Sequence, residues 1–479
     1  MLLEINKVVG LTELEEEQLK KLIAVWKTNK AKNRIKNRYY EGHITLGEVN
    51  LGIALPNGLS KLEIGCSWGS KAVDVLASRS MFDGFVSSNG ENNSLLDEIM
   101  TNNKMVSEYM KACKDELKYG CTFVTLSADD ELKCKIRFHS PLTAAALYDG
   151  IKGRIKCGLS IMDTAQDEDK IWRPQSLRYD TTDAVIILHR EKDIWIAERK
   201  PHRMGRPLME ALVWNPTTNK PFGRSRIKEP VRRLIQGYVR TIANATIGLE
   251  FATTPQKYML GITDEQYDAL INNKFKNYVG SMLLATKNPE TGETPSFGQV
   301  SQGNIEPHVS MLRLLATQFG AATGLTVTDT GVVNDANPTS SDAILAQSQT
   351  LVLMAEELNV RNGEALKSIG QMAIAIAENK EPFELDENEK SIIAHFKNPA
   401  MPSVAVTADA AIKIATSRPA FADTDTYLEM IGFSQADIRR IKAQEQRVRG
   451  SKILSEEFTD EPELNGGGNT KAVALWCSG

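Results

Sequence analysis

From Pro338 to Asn379 the chain carries one helical period without an internal proline, and this stretch most limits what its 479 residues can fold into. The apolar residues Ile344, Leu351, Ala355, Leu358, Ala365, Ile369, Met372 and Ile376 recur at steps of three and four. Pro338 suits the first turn of a helix, and Thr339 with Asp342 has the spacing of a capping box. Upstream, Gly324 to Asn337 is rich in Gly, Thr, Asp and Asn, the residues that end a helical period. At 1.5 Å per residue a helix of roughly 40 residues is about 60 Å long, about twice the width of a small domain. Such a helix cannot bury its stripe within itself. Ser348 and Asn362 interrupt the stripe where a self-contained coiled coil would place apolar residues. The pattern therefore predicts packing against several neighbours, copies of the same chain among them.

The rest of the chain reads as an α+β protein. Thr12 and Glu15 have capping-box spacing for a first helix that ends near Gly42, acidic at its start (Glu13, Glu15, Glu16, Glu17) and basic after Lys20. Further helices are predicted at Ser70 to Arg79 and, as one unbroken element, at Ser94 to Lys118, with Ser94 and Asp97 at capping spacing and Gly120 as the stop. Then the period changes to two in Lys133 to Phe138 and Ile155 to Ile161, which read as strands, and Val185 to Leu188 and Ile194 to Ala197 add two more around the charged Arg190 to Asp193 turn. A helix from Pro230 presents Val231, Leu234, Ile235, Tyr238, Ile242, Ala245 and Leu249 on one face, with Arg233 and Arg240 opposite. A short helix is predicted near Glu265 to Asn273 and a turn-rich stretch at Asn288 to Gly298. After the long helix, Val404 to Val406 reads as a strand, and Ala408 to Thr416, Asp425 to Ile431 and Ser434 to Arg449 as helices.

Chemistry leaves few marks. No phosphate-binding loop or HExxH pair occurs, and the six histidines (His43, His139, His189, His202, His308, His395) are scattered. The acidic runs Asp129 to Glu131 and Asp167 to Asp169 lack the spacing of a calcium loop and read as solvated turns. Neither enzymatic activity nor a cofactor or metal is expected. Six cysteines without a CxxC pair suggest reduced thiols, and no apolar run approaches the ~18 residues of a membrane span. The acidic start argues against a secretory leader. A net charge of −4 disfavours strong general binding to nucleic acid.

Four segments in order carry a resemblance: Tyr39-Tyr40-Glu41-Gly42, Pro221 to Ile227 (PFGRSRI), Asn337 to Ile344 (NPTSSDAI) and Ala408 to Lys413 (ADAAIK). Over roughly residues 20 to 450 the chain resembles the portal proteins of tailed bacteriophages, in the group related to the portal of a Bacillus siphophage. The resemblance implies a ring-forming, portal-like fold. It assigns residues 1–222 to an α+β wing, 223–250 to a first stem helix, 251–305 to an α/β clip and 306–323 to a second stem helix. A tunnel loop at 324–338, a long helix returning to the wing at 339–407 and a helical crown at 408–458 follow, with a tail at 459–479. The implied protein is a dodecameric ring at one capsid vertex of the virion, assembled in the host cytoplasm. It conducts double-stranded DNA and docks the terminase large subunit, then the head-tail connector, beside major capsid and scaffold proteins. No membrane is involved.

Two sets of residues are candidates for contact with DNA. The resemblance places Thr326, Thr328, Asp329, Thr330, Gly331, Asn334, Asp335 and Asn337 on the tunnel loop, where Gly331 permits unusual backbone angles and the two aspartates would face the duplex with negative charge. The densest basic group, Arg224, Arg226, Lys228, Arg232, Arg233 and Arg240, fits DNA, an acidic partner, or ion pairs between subunits. Two other readings stay open: a nucleic-acid-processing phage enzyme with the basic helix as its binding surface, and another structural or assembly protein of the head.

Overall fold

The computed structural model describes residues 7–45, 63–87, 93–166, 169–191, 194–253, 257–261, 296–299, 304–326, 328–331, 341–400 and 404–457, with a few isolated positions besides. The chain divides into two units, Met1–Met401 and Pro402–Gly479.

The first unit starts with β1 (Lys7–Val9), α1 (Glu13–Glu41), β2 (His43–Thr45), β3 (Glu63–Gly65), α2 (Trp68–Ala77) and β4 (Phe82–Ser87). Next come α3 (Ser94–Asn102), α4 (Met105–Tyr119), β5 (Cys121–Asp129), β6 (Lys133–His139), β7 (Ala144–Asp149) and β8 (Arg154–Gln166). Strands β9 (Trp172–Asp180), β10 (Ala184–Glu191), β11 (Ile194–Pro201) and β12 (Met209–Val213) precede α5 (Glu229–Thr253). A short antiparallel pair, β13 (Lys257–Leu260) and β14 (Ser296–Gln299), separates α5 from α6 (Glu306–Thr323). The long helix α7 (Ser341–Ala377), the short α8 (Glu387–Lys390) and β15 (Ile392–Phe396) complete the unit. The protein is thus mixed α+β. The predicted helix near Glu265 to Asn273 and the capping residues Pro338 and Thr339 lie outside the described residues.

Two cores organise this unit. In one, α1 lies on the six-stranded sheet of order β1-β11-β10-β9-β8-β7, in which only the β1–β11 pair is parallel. Leu19, Leu22, Ile23 and Trp26, spaced at three and four, meet Leu159, Leu177, Tyr179, Ile186, Leu188 and Trp195 from the alternating inner face of the strands. Four such side chains taken from water are worth on the order of 8 kcal/mol. The start of α1 is fixed as its sequence predicts: Thr12 and Glu15 form a reciprocal capping box, Gly42 ends the helix at φ 76, and Arg199 of β11 binds the Glu15 carboxylate.

In the larger core, α2, α4, α5, α6 and α7 pack with β4, β5, β6 and β15. Helix α7 spans 37 residues, about 55 Å. It buries Leu351, Ala355, Leu358, Asn362, Leu366, Ile369 and Met372 against β15, β12, β5 and β6. Three helices, α2, α5 and α6, meet at Trp68. Its ring lies 4.6 Å from Tyr238 and 4.8 Å from Phe319.

Three expectations are corrected. The helix expected from Ser94 to Lys118 is two helices, because Asn103 leaves the helical path: its amide donates to Ile99 O and Cys134 O and accepts from Ile136 N, tying the break to β6. Lys104 then turns with φ 52. The capping residue of the first piece is Asn93, not Ser94. The strand expected at Val404 to Val406 is helical, the first turn of Val404–Ser417. The alanine-rich run that follows continues a helix, and the strand in this region is β15, antiparallel to β4.

The second unit holds α9 (Val404–Ser417), α10 (Asp425–Ile431) and α11 (Gln435–Glu457). Ser434 caps the start of α11, its hydroxyl accepting from Asp437 N. The helix runs past Arg449 through Gly450.

Candidate functional site

The basic turn reaches the C-terminal end of α6, where the loop begins, and the turn itself is explained by carbonyl accounting. The last four carbonyls of a helix have no partner within it. In α4 each finds one: Glu116 O accepts from Gly120 N at 2.7 Å, Leu117 O from Arg226 N at 2.9 Å, Lys118 O from Ser225 Oγ at 2.5 Å, and Tyr119 O from Lys36 Nζ at 2.8 Å. The PFGRSRI turn is therefore the C-terminal clamp of α4. Gly223 is required in it, with φ 68 and no room for a Cβ beside Trp214 O and Gly120 O.

Arg226 carries the clamp further. Only 5% exposed, it donates Nε to Ala72 O of α2 and Nη2 to Thr323 O, the last residue of α6, with Nη1 against Met354 Sδ of α7 at 3.6 Å. Its carbon Cζ lies 5.7 Å from the Trp214 ring centre. Burial pulls its pKa down to about 10, and the negative end of α6 offsets part of that cost. The other candidate arginines stand elsewhere. Arg224 is exposed; Arg232 lies half-buried over Tyr39 at 5.8 Å; Arg233 is exposed and pairs with Glu229 at 3.1 Å. Arg240 is exposed two turns after Arg233 on the same side of α5. The sequence group is thus divided between one interior cation and a surface strip.

The loop after α6 begins tightly held. Gly324 ends α6 at φ 73, and Leu325 is buried, its carbonyl 2.8 Å from where a Cβ on Gly320 would stand. Asp329 turns back on its own loop: Oδ2 accepts from Thr326 N at 2.9 Å and from Thr326 Oγ1 at 2.8 Å, while Asp329 N donates to that hydroxyl. Thr328–Thr330 form one 3-10 turn. Thr330 is buried, and its carbonyl accepts the Trp68 indole N–H at 3.1 Å. Thr328 and Gly331 are exposed, and Gly331 has φ 76. Asn334, Asp335 and Asn337 lie outside the described residues.

Trp68 and Phe319 are the residues that sequence reasoning misses at this place. The Trp68–Thr330 bond joins positions 262 apart, and no local spacing announces it. The site offers anchored backbone, small polar side chains and exposed helix faces. Among the described residues no group of three or more His, Cys, Asp or Glu is placed to hold a metal, and no helix is long and apolar enough to cross a membrane.

The model of the phage portal protein family described as SPP1 Gp6-like matches residues 19–450, and the chain belongs to that family. No curated protein matches. Among solved structures, a chain in the virion of a native gene transfer agent (GTA) particle is 13% identical with a TM-score of 0.44, covering 76% of this chain and 89% of that one. A chain from the neck of the native GTA particle, computed with C12 symmetry, has a TM-score of 0.43 at the same identity and coverage. One from the neck of the empty particle, computed with C6 symmetry, has a TM-score of 0.44 at 13% identity, covering 78% of this chain and 89% of that one.

Proposed function

We propose that this chain is the subunit of a ring at one vertex of a phage capsid, the conduit by which double-stranded DNA enters during packaging and leaves on ejection. The observation that carries the reading is membership of the portal family across residues 19–450. In that reading residues 1–222 and 339–407 build the wing and 223–250 with 306–323 the stem. Residues 251–305 form the clip that docks the terminase large subunit and later the connector, 324–338 the tunnel loop, and 408–458 the crown. The subunit hydrolyses nothing; a separate motor supplies the energy.

Bare apolar side chains support the ring. Met311 and Leu314 on α6 are 43% and 51% exposed, and Leu353 and Val360 on α7 are 56% and 71% exposed. Each pair recurs at helical spacing, and a neighbouring copy would cover them. Native mass spectrometry of the purified protein tests the reading. Twelve subunits of 53.0 kDa give about 636 kDa. A species of one or two subunits that does not assemble under packaging conditions would sink it. Leu314→Asp combined with Val360→Asp should leave the unfolding midpoint of the isolated subunit within about 0.5 kcal/mol of wild type and abolish the ring. Rings of normal mass in that variant would place the subunit interface elsewhere.

The tunnel-loop assignment has its own test. Asp329 is engaged with Thr326, so the exposed Thr328 is the better position for a charge. Thr328→Lys should add salt-sensitive retention of duplex DNA by the ring and slow packaging, since each phosphate neutralised adds a salt-dependent attraction. Unchanged packaging and DNA retention would put residue 328 outside the DNA path. ATPase or nuclease activity that stays with the purified ring would favour the enzyme reading instead.

A further inference from the structure

The one polar side chain in the buried stripe of α7 that the described contacts tie to a second helix is Asn362, and its partner is an acid. Asn362 and Glu116 of α4 are both 0% exposed. Asn362 Nδ2 donates to Glu116 Oε2 at 2.8 Å and to Tyr109 Oη at 2.9 Å, and Tyr109 Oη shares a hydrogen with Ser80 Oγ at 2.7 Å. Two acceptors are then left over. Glu116 Oε1 and Asn362 Oδ1 are buried and have no donor. An ionised carboxylate can only accept, so it leaves both orphaned, each at a cost of about 1–3 kcal/mol. Turning the amide over does not help. It would set Oδ1 at 2.8 Å from Oε2, a contact that only a proton on the carboxyl makes favourable.

We propose that Glu116 is a neutral carboxylic acid in the folded subunit, paired with the Asn362 amide, and that loss of its proton unlatches the long helix α7 from α4. The surroundings fit a neutral group. Burial raises the Glu116 carboxyl from 4.5 to about 8, outweighing the hydrogen bond from Asn362. The titratable groups around it are Tyr109 and Cys113 of α4 and Cys121 of β5, all held protonated by burial. Lys114, which acts on Cys113, is tied to Asp74 of α2 at 3.3 Å, and Lys36 of α1 acts on Cys121. Glutamine would fill the same space without a titration. The acid makes the seat of α7 depend on pH.

The folded pKa lies above the unfolded one, so the stabilisation is complete below about 4.5 and is lost as pH rises through about 8. Glu116→Gln is isosteric and removes the proton. Between about pH 5 and pH 8 the unfolding constant of wild type should rise up to tenfold per pH unit relative to Glu116→Gln, then level off. Lys36, pushed down to about 8, titrates in the opposite sense but is common to both proteins and cancels in the ratio. Infrared difference spectra of wild type alone give a second readout: a protonated carboxylic-acid carbonyl band at pH 6 that disappears above about pH 8 and is absent from Glu116→Gln. Parallel pH profiles for the two proteins, or a wild type without that band at pH 6, would overturn the proposal.

Discussion

Arg226→Met lowers the stability of the subunit by about 3 kcal/mol, and Arg226→Lys recovers less than half of it. The methionine fills the space of the stem but leaves Thr323 O, the last carbonyl of α6, without a donor inside the core, at a cost of about 1–3 kcal/mol, and removes the second bond to Ala72 O, which keeps its helical donor. Part of that loss is offset because a guanidinium no longer has to be buried. A lysine has one ammonium on a flexible stem and cannot hold both carbonyls as the planar fork does. The backbone N–H of residue 226 still serves Leu117 O in either variant, so the end of α4 stays capped. Urea unfolding followed by tryptophan fluorescence measures the shift, and Trp68 and Trp214 lie within reach of the change. Equal midpoints for wild type and Arg226→Met would mean that Thr323 O finds another donor and that the arginine is held for a partner outside the subunit.

Arg226 also shows where a sequence stops being informative. In the chain it is one of six basic residues between 224 and 240, and charge alone makes it a candidate for DNA. Its partners are Ala72, Thr323 and Met354, between 97 and 154 positions away, so nothing near it in sequence sets it apart from Arg233, which is on the surface. Local signals fared better wherever the physics is local. Thr12 with Glu15, Gly42, Gly120 and Gly324 mark helix ends because a cap involves residues three or four apart, and the two-residue alternation in β6 and β8 needs only a sheet face. Asn103 defeats the same reasoning. The helical period runs through it, yet its amide gains more by binding the β6 backbone than by staying in the helix. Asn362 looks like an interruption of the apolar stripe and is instead its polar fastening to α4.

Leu358→Asp should cost 5 kcal/mol or more and leave no soluble folded subunit. Leu358 is 0% exposed at the centre of α7, one turn before Asn362, in the larger core. Shortening the side chain alone opens a cavity worth about 2–5 kcal/mol. The carboxylate adds the larger penalty, since a charge so buried must ionise unpaired or take up a proton. Domains have only about 5–15 kcal/mol in hand, so the sum takes most of it. Leu353→Asp on the same helix is the control: at 56% exposure it should change the stability of the isolated subunit by no more than about 0.5 kcal/mol. The contrast separates two uses of one helix. Its Leu351–Leu358–Ile369 side holds the subunit together, while its Leu353–Val360 side is exposed in the subunit. Circular dichroism and solubility of the two variants decide the matter, and a folded Leu358→Asp subunit with a normal unfolding midpoint would show that α7 does not pack through this face.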